Sequence, residues 1–138
     1  MSIWYLDTSA ALKLILAEPE STSLIAAINA ERPSLVSSWL LETELRRAAQ
    51  RSNAFDQKTA TALLDRVTLH QLTPALFLQA GLLPGQFLRS LDALHLASAI
   101  TIGIDAIATY DIRLAAAATE LGQTVIAPGQ STEPTRQS

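Results

Sequence analysis

A chain of 138 residues is long enough for one core and short for two. With 49 % apolar and 17 % charged residues, it reads as a compact globular domain rather than a disordered one. A formal charge of −3, with eight of the ten basic residues arginine, excludes a broad cationic face, and the absence of cysteine excludes disulfides, thiolate metal sites and a cysteine nucleophile.

The first apolar run has no basic flank, and Asp7 and Lys13 interrupt it, so no signal peptide is expected. Residues 3–6 read as a short buried strand that stops at Asp7. Thr8 or Ser9 is placed to cap a helix over Ala10–Ala17, broken by Glu18-Pro19-Glu20. Ser21 opens a second helix through Ile28, closed by Pro33. Residues 34–37 form a second strand, and Ser38 begins a helix to Arg51. Asp56 caps a helix through Leu64, and 67–69 has strand character. Thr73-Pro74 starts a helix that ends at Leu83-Pro84-Gly85. Ser90 caps an apolar helix to Ile102, stopped by Gly103. That apolar segment carries Asp92, His95 and Asp105 and falls short of a membrane span, so a cytoplasmic protein with no membrane partner is expected.

Ala106–Thr109 is the next strand, Ile112–Leu121 the last helix and Thr124–Ile126 the last strand. Short strands, apolar on both faces and alternating with helices, predict an α/β fold with a parallel sheet covered on both sides. Residues 1–127 form one domain; 128–138 is a polar tail expected to be disordered.

Asp7, Glu44, Asp92 and Asp111 each sit where an apolar element meets polar residues, and a parallel fold brings such positions to the carboxyl edge of the sheet. Two bare carboxylates ~4 Å apart repel by roughly 4 kcal/mol at an effective dielectric of 20. Either their pKa values rise or a cation settles among them. Oxygen donors suit Mg²⁺ or Mn²⁺, which can activate water and neutralise a phosphodiester. Each acid has a plainer reading too: Asp7 as a helix cap, Asp92 as a favourable charge at a helix start, Asp111 as a turn residue, Glu44 as a solvated helix charge. Glu42 and Glu44, about 200° apart on a helix, cannot both face inward. Thr8, Ser9 and Thr109 flank the acids and could support them; Arg46, Arg47 and Arg89 are candidate phosphate contacts. His95, inside Leu91-Asp92-Ala93-Leu94-His95-Leu96-Ala97, reads as a satisfied histidine on a packed helix.

The stretches Tyr5-Leu6-Asp7-Thr8-Ser9-Ala10, Thr43-Glu44-Leu45-Arg46-Arg47, Leu91-Asp92-Ala93-Leu94-His95 and Thr109-Tyr110-Asp111 occur in the order and spacing of a known family. Together they resemble PIN-domain ribonucleases, in particular the toxins of VapBC-type toxin–antitoxin pairs. That resemblance implies a three-layer α/β/α sandwich with a central parallel sheet. It places Asp7, Glu44, Asp92 and Asp111 on the family's four acidic positions, with Asp7, Asp92 and Asp111 as the main metal ligands and Thr109 on a recurrent Ser/Thr position. It further implies a Mg²⁺- or Mn²⁺-dependent endoribonuclease, a homodimer, and a cognate antitoxin whose C-terminal segment inserts a basic side chain near the acidic pocket. The competing expectation is a catalytically silent PIN-like module that binds RNA or protein; cleavage of DNA in place of RNA is a further variant. A phosphoryl-transfer domain fits poorly, because Ser9 stands where a dehalogenase-type phosphatase needs a second Asp.

Overall fold

The computed structural model describes residues 1–131. Strands β1 (Ile3–Leu6), β2 (Ser34–Ser38), β3 (Thr68–His70), β4 (Ala106–Ala108) and β5 (Val125–Ile126) form one sheet in the order β3-β2-β1-β4-β5. Every pairing is parallel, with Trp4 opposite Leu35 and Ala106, and Tyr5 opposite Val36 and Ile107. Helices α1 (Thr8–Lys13), α2 (Ser21–Glu31), α3 (Leu40–Arg51), α4 (Gln57–Leu64), α5 (Pro74–Leu82), α6 (Ser90–Ile102) and α7 (Ile112–Glu120) cover it.

The two-residue side-chain period of a strand divides the core into two layers. Trp4, Leu6, Leu35, Ala106 and Ala108 pack with Ala10, Leu24, Leu41, Leu45 and Leu63 from α1 to α4. Tyr5, Val36 and Ile107 point the other way, against Leu96 and Ala99 of α6 and Leu114 and Ala118 of α7. A smaller cluster, Leu76 and Ala80 with Ala93 and Ala97, fastens α5 to α6. The expected three-layer α/β/α sandwich is present.

From β1 the chain steps outward through β2 and β3, then returns to lay β4 and β5 on the other side of β1. The order therefore reverses between β1 and β4, and ligands of open parallel sheets bind in the crevice beyond the strand ends at such a point. Asp7 follows β1 there, and Thr109 to Asp111 follow β4.

Several element starts differ from expectation. Neither Thr8 nor Ser9 caps α1: the cap is Asp7, whose Oδ1 accepts from Ala10 N at 2.9 Å, because its short carboxylate already sits at the strand end facing the free amides of the first turn. Helix α1 also stops at Lys13 rather than Ala17, since the amides of Leu14 and Ile15 turn back three residues, to Ala11 and Leu12. Ser90 is the first residue inside α6, after an N-cap at Arg89 that makes no side-chain bond. Trp39 likewise precedes α3, while Ser38 Oγ accepts from Leu40 N at 3.3 Å. Helix α2 runs on to Glu31 and ends at Arg32, the one non-glycine residue with positive φ (48°) among those described. Gly103 ends α6 at φ 79°, as a left-handed C-cap requires.

Pro128 is held rather than loose: Tyr110 Oη donates to its carbonyl at 2.8 Å. Gly129 lies so close to α2 that a Cβ there would come within 2.8 Å of Ser23 Oγ. The rest of the expected tail, residues 132–138, lies outside the described residues. Among the described residues no helix is long and apolar enough to cross a membrane.

Candidate active site

Asp7 is the most enclosed of the four acids, 4 % exposed at the end of β1. Its Oδ1 accepts from Ser9 Oγ at 2.7 Å and from Ala10 N at 2.9 Å, and its Oδ2 accepts from Thr109 Oγ1 at 2.6 Å. Burial pushes its carboxyl above the usual range, and these three donors counter the effect only in part. Ser9 Oγ also accepts from Tyr110 N at 2.9 Å, and Thr109 Oγ1 accepts from Asp111 N at 3.1 Å. The two hydroxyls thus tie the loop after β1 to the loop after β4. Both were singled out in the sequence as supporting residues, and the structure places both against Asp7.

Asp111 caps α7 by accepting from Arg113 N at 2.9 Å and Leu114 N at 3.1 Å, all through Oδ1. Its Oδ2 has no protein partner among the described residues. Asp92 lies in the first turn of α6. Burial raises its carboxyl first, and repulsion from Asp111, Asp7 and Glu44 adds to the rise against the opposing pull of His95. All four acids therefore share one electrostatic neighbourhood.

Glu44 reaches it from α3, while Glu42 turns aside to pair with Arg46 at 3.5 Å. Glu44 Oε1 lies 2.6 Å from His95 Nε2, and His95 Nδ1 lies 2.7 Å from Tyr5 Oη. Burial pushes the Glu44 carboxyl up, but the hydrogen bond and charge of His95 outweigh it, and it settles below the usual carboxylate range. The Thr8 hydroxyl adds to that stabilisation, although Thr8 Oγ1 is buried and completes no hydrogen bond of full geometry. His95 is the packed, satisfied histidine expected, 2 % exposed. Its partner Glu44 was not foreseeable, because the two lie 51 residues apart. The one sequence signal was a titratable ring on a wholly apolar helix face, which must find polar partners.

The arginines divide. Arg46 Nη1 donates to Gln57 O, Gln57 Oε1 and Thr61 Oγ1 at 2.8–3.2 Å, so its head is tied to α4. Arg47 and Arg89 are exposed.

The donors that gather here are oxygens, with one buried hydroxyl unsatisfied, and their mutual repulsion disfavours the charged state of Asp92. Such a set fits a hard divalent cation and no soft one. Among the described residues no group of three or more acidic or histidine side chains converges tightly enough to hold an ion by direct contact. The fit is therefore to an ion that keeps much of its water and takes one or two carboxylates, which is how Mg²⁺ is commonly bound.

The PIN domain model matches residues 4–120. Ribonuclease VapC46 of Mycobacterium tuberculosis is 40 % identical over 131 residues, covering 93 % of this chain and 99 % of that protein. Ribonuclease VapC35 of the same species is 38 % identical over 133 residues, covering 92 % and 98 %. Among solved structures, VapBC2 from Rickettsia felis, bound to a DNA fragment from its promoter, superposes with a TM-score of 0.68 at 17 % identity, over 90 % of this chain and 97 % of that one. VapC20 of M. tuberculosis, a toxin described as cleaving the sarcin–ricin loop, gives 0.66 at 22 % identity, over 83 % and 94 %. At those identities the two structures speak for the fold alone. The sequence matches carry more: this chain belongs to the PIN-domain family and stands, within it, with the VapC ribonucleases.

Proposed function

We propose that this chain is the ribonuclease toxin of a toxin–antitoxin pair, hydrolysing RNA phosphodiesters at Asp7, Glu44, Asp92 and Asp111 with Mg²⁺ or Mn²⁺. The observation that carries the reading is the electrostatic convergence on Asp92, whose carboxyl is raised by three other acids drawn from α3, β1 and the β4–α7 loop. A protein with no use for that arrangement would be better served by neutral residues. A divalent ion held there supplies charge neutralisation at the phosphodiester and makes water a competent nucleophile at neutral pH.

The protein's own residues do the rest. Asp7, gripped through both oxygens, is a fixed reference point for the site. Asp111 keeps Oδ2 for a ligand while Oδ1 secures α7. Asp92 takes no hydrogen bond from the described protein and is the acid with most to gain from a cation. Glu44, ionised and half-buried, is placed to accept a proton from, or orient, an attacking water. Arg47 and Arg89 are the freer candidates for RNA phosphate.

The partners belong to the same proposal. Leu14, Ile15, Ile25, Ile28 and Leu63 line a groove of about 300 Å³ between α1, α2 and α4, apolar surface of a kind that suits an antitoxin segment. An antitoxin whose C-terminal end carries a basic residue would find its counter-charge at the acidic pocket. Phe77, Leu78 and Leu82 stand exposed on α5, which favours a homodimer. A cytoplasmic location agrees with a chain free of cysteine and with an RNA target.

The test is cleavage of a mixed RNA pool by purified protein with Mg²⁺, with Mn²⁺ and with EDTA, beside Asp92→Asn. Discrete products that need the metal and vanish in the mutant support the reading. Equal cleavage by wild type and mutant would remove the acidic cluster from the chemistry. No cleavage by antitoxin-free protein would turn the reading to a silent binding module.

A further inference from the structure

A fully buried imidazole persists where both ring nitrogens find partners. His95 finds them on two other elements: Tyr5 from β1 at 2.7 Å and Glu44 from α3 at 2.6 Å. Helix α3 packs through Leu41 and Leu45 on one face of the sheet, and α6 packs through Leu96 and Ala99 on the opposite face. The His95–Glu44 contact therefore joins the two helical layers across the carboxyl edge, beside the acids. Tyr5 meets the ring edge-on as well, with centroids 5.7 Å apart and planes at 77°. Glu44 is an acid on a flexible stem whose side chain is 26 % exposed, and ordering such a side chain costs up to about 2 kcal/mol of rotamer entropy. Something must hold it if it is to act at one place.

We propose that His95 is a positioning residue of the active site: Tyr5 fixes its ring through Nδ1, and Nε2–H holds the Glu44 carboxylate in one orientation beside Asp7, Asp92 and Asp111. The direction of the bonds follows from their chemistry. An ionised Glu44 only accepts, so Nε2 carries the proton. Burial pushes the Tyr5 phenol up to about 12, so at neutral pH it keeps a proton to give to Nδ1. A ring that merely filled core volume would need neither partner, and a leucine would serve there. The assignment rests on the ribonuclease reading of the acidic cluster and adds to it a residue that touches neither substrate nor ion.

The experiment compares two substitutions that divide the ring's two contacts. His95→Asn leaves an amide nitrogen near the Nδ1 position, within reach of Tyr5, but too short for Glu44; His95→Gln extends a donor towards Glu44. On an RNA oligonucleotide cut by the wild type, His95→Asn should lower kcat by roughly ten- to a hundredfold, the usual effect of removing an orienting partner, with KM little changed. His95→Gln should recover most of that loss. In a Glu44→Gln background, His95→Asn should cost nothing further, whereas a purely structural histidine would lower activity equally in both backgrounds and in step with its melting temperature. Imidazole ¹⁵N spectra supply a readout that needs no turnover, and His70 is the only other histidine. The His95 Nε2–H signal should move in Glu44→Gln while that of His70 stays put. A His95 signal indifferent to Glu44, or equal losses in both backgrounds, would overturn the proposal. A wild type that cuts no RNA would instead overturn the ribonuclease reading, with the spectrum still deciding whether His95 holds Glu44.

Discussion

Asp7 and Asp92 both carry raised carboxyls, yet they should answer oppositely to the same substitution. Asp7 accepts three hydrogen bonds, so an amide there must turn a donor towards a donor and strand one partner. Asp7→Asn is therefore a poor probe of chemistry, since it should destabilise the fold by about 1–3 kcal/mol through a buried unsatisfied group. Asp92 has no such bonds to lose and is surrounded by like charge. A carboxyl raised in the folded state favours folding least where it is ionised: stability falls as pH climbs from the unfolded pKa through the folded one and stays lower above it. Asp92→Asn removes that penalty. Its melting temperature should exceed that of the wild type by about 1–2 °C at neutral pH, a small effect because solvent screens a half-exposed group. The difference should vanish below about pH 4, where both forms are neutral. Cleavage should fall by roughly a hundredfold or more. Scanning calorimetry at the two pH values and an RNA cleavage assay check all three expectations.

At the scale of elements, the plain and functional readings of the strand-end acids turn out to be compatible. Asp7 and Asp111 each cap the helix that follows and each face the crevice, because a short side chain at a strand-to-helix turn can satisfy first-turn amides with one oxygen and present the other. The two roles of Asp111 separate by substitution. Asparagine caps about as well as aspartate, so Asp111→Asn should stay within about 0.5 kcal/mol of wild type in urea unfolding while losing cleavage; Asp111→Ala should lose cleavage and about 1 kcal/mol as well. The order of elements was legible in the sequence because strands buried on both faces are short unbroken apolar runs, and Pro, Gly and Asp mark their ends. Helix starts were less legible: Ser and Thr stand next to Asp7 and Arg89, and only the backbone decides which of them is the cap. Least legible were contacts between distant segments. Nothing in the pattern around Leu94-His95-Leu96 says that the ring meets Glu44, or around Arg46 that its head is tied to Gln57 and Thr61 rather than open to phosphate.

For the whole molecule, the acids form a store of unfavourable energy placed where β1 and β4 part, at the one seam of the sheet that folding leaves open to a ligand. Whatever lowers that energy binds the folded chain and not the unfolded one, since Asp7, Glu44, Asp92 and Asp111 come together only when both helical layers are assembled. A divalent cation should accordingly raise the melting temperature in proportion to the logarithm of its concentration. At a hundredfold excess over Kd the gain is about 2.7 kcal/mol, roughly 5–10 °C for a domain of this size. Protons compete for the same carboxyls, and both Asp7 and Asp92 hold theirs more tightly than usual. The metal-dependent rise should therefore shrink as the solution is acidified, even while the protein stays folded. Asp92→Asn should reduce it at every pH, and EDTA should abolish it. Melting curves over a Mn²⁺ or Mg²⁺ series at two pH values, for wild type and Asp92→Asn, measure this directly. A rise that survives Asp92→Asn unchanged would place the ion elsewhere on the molecule and separate the acidic seam from metal binding.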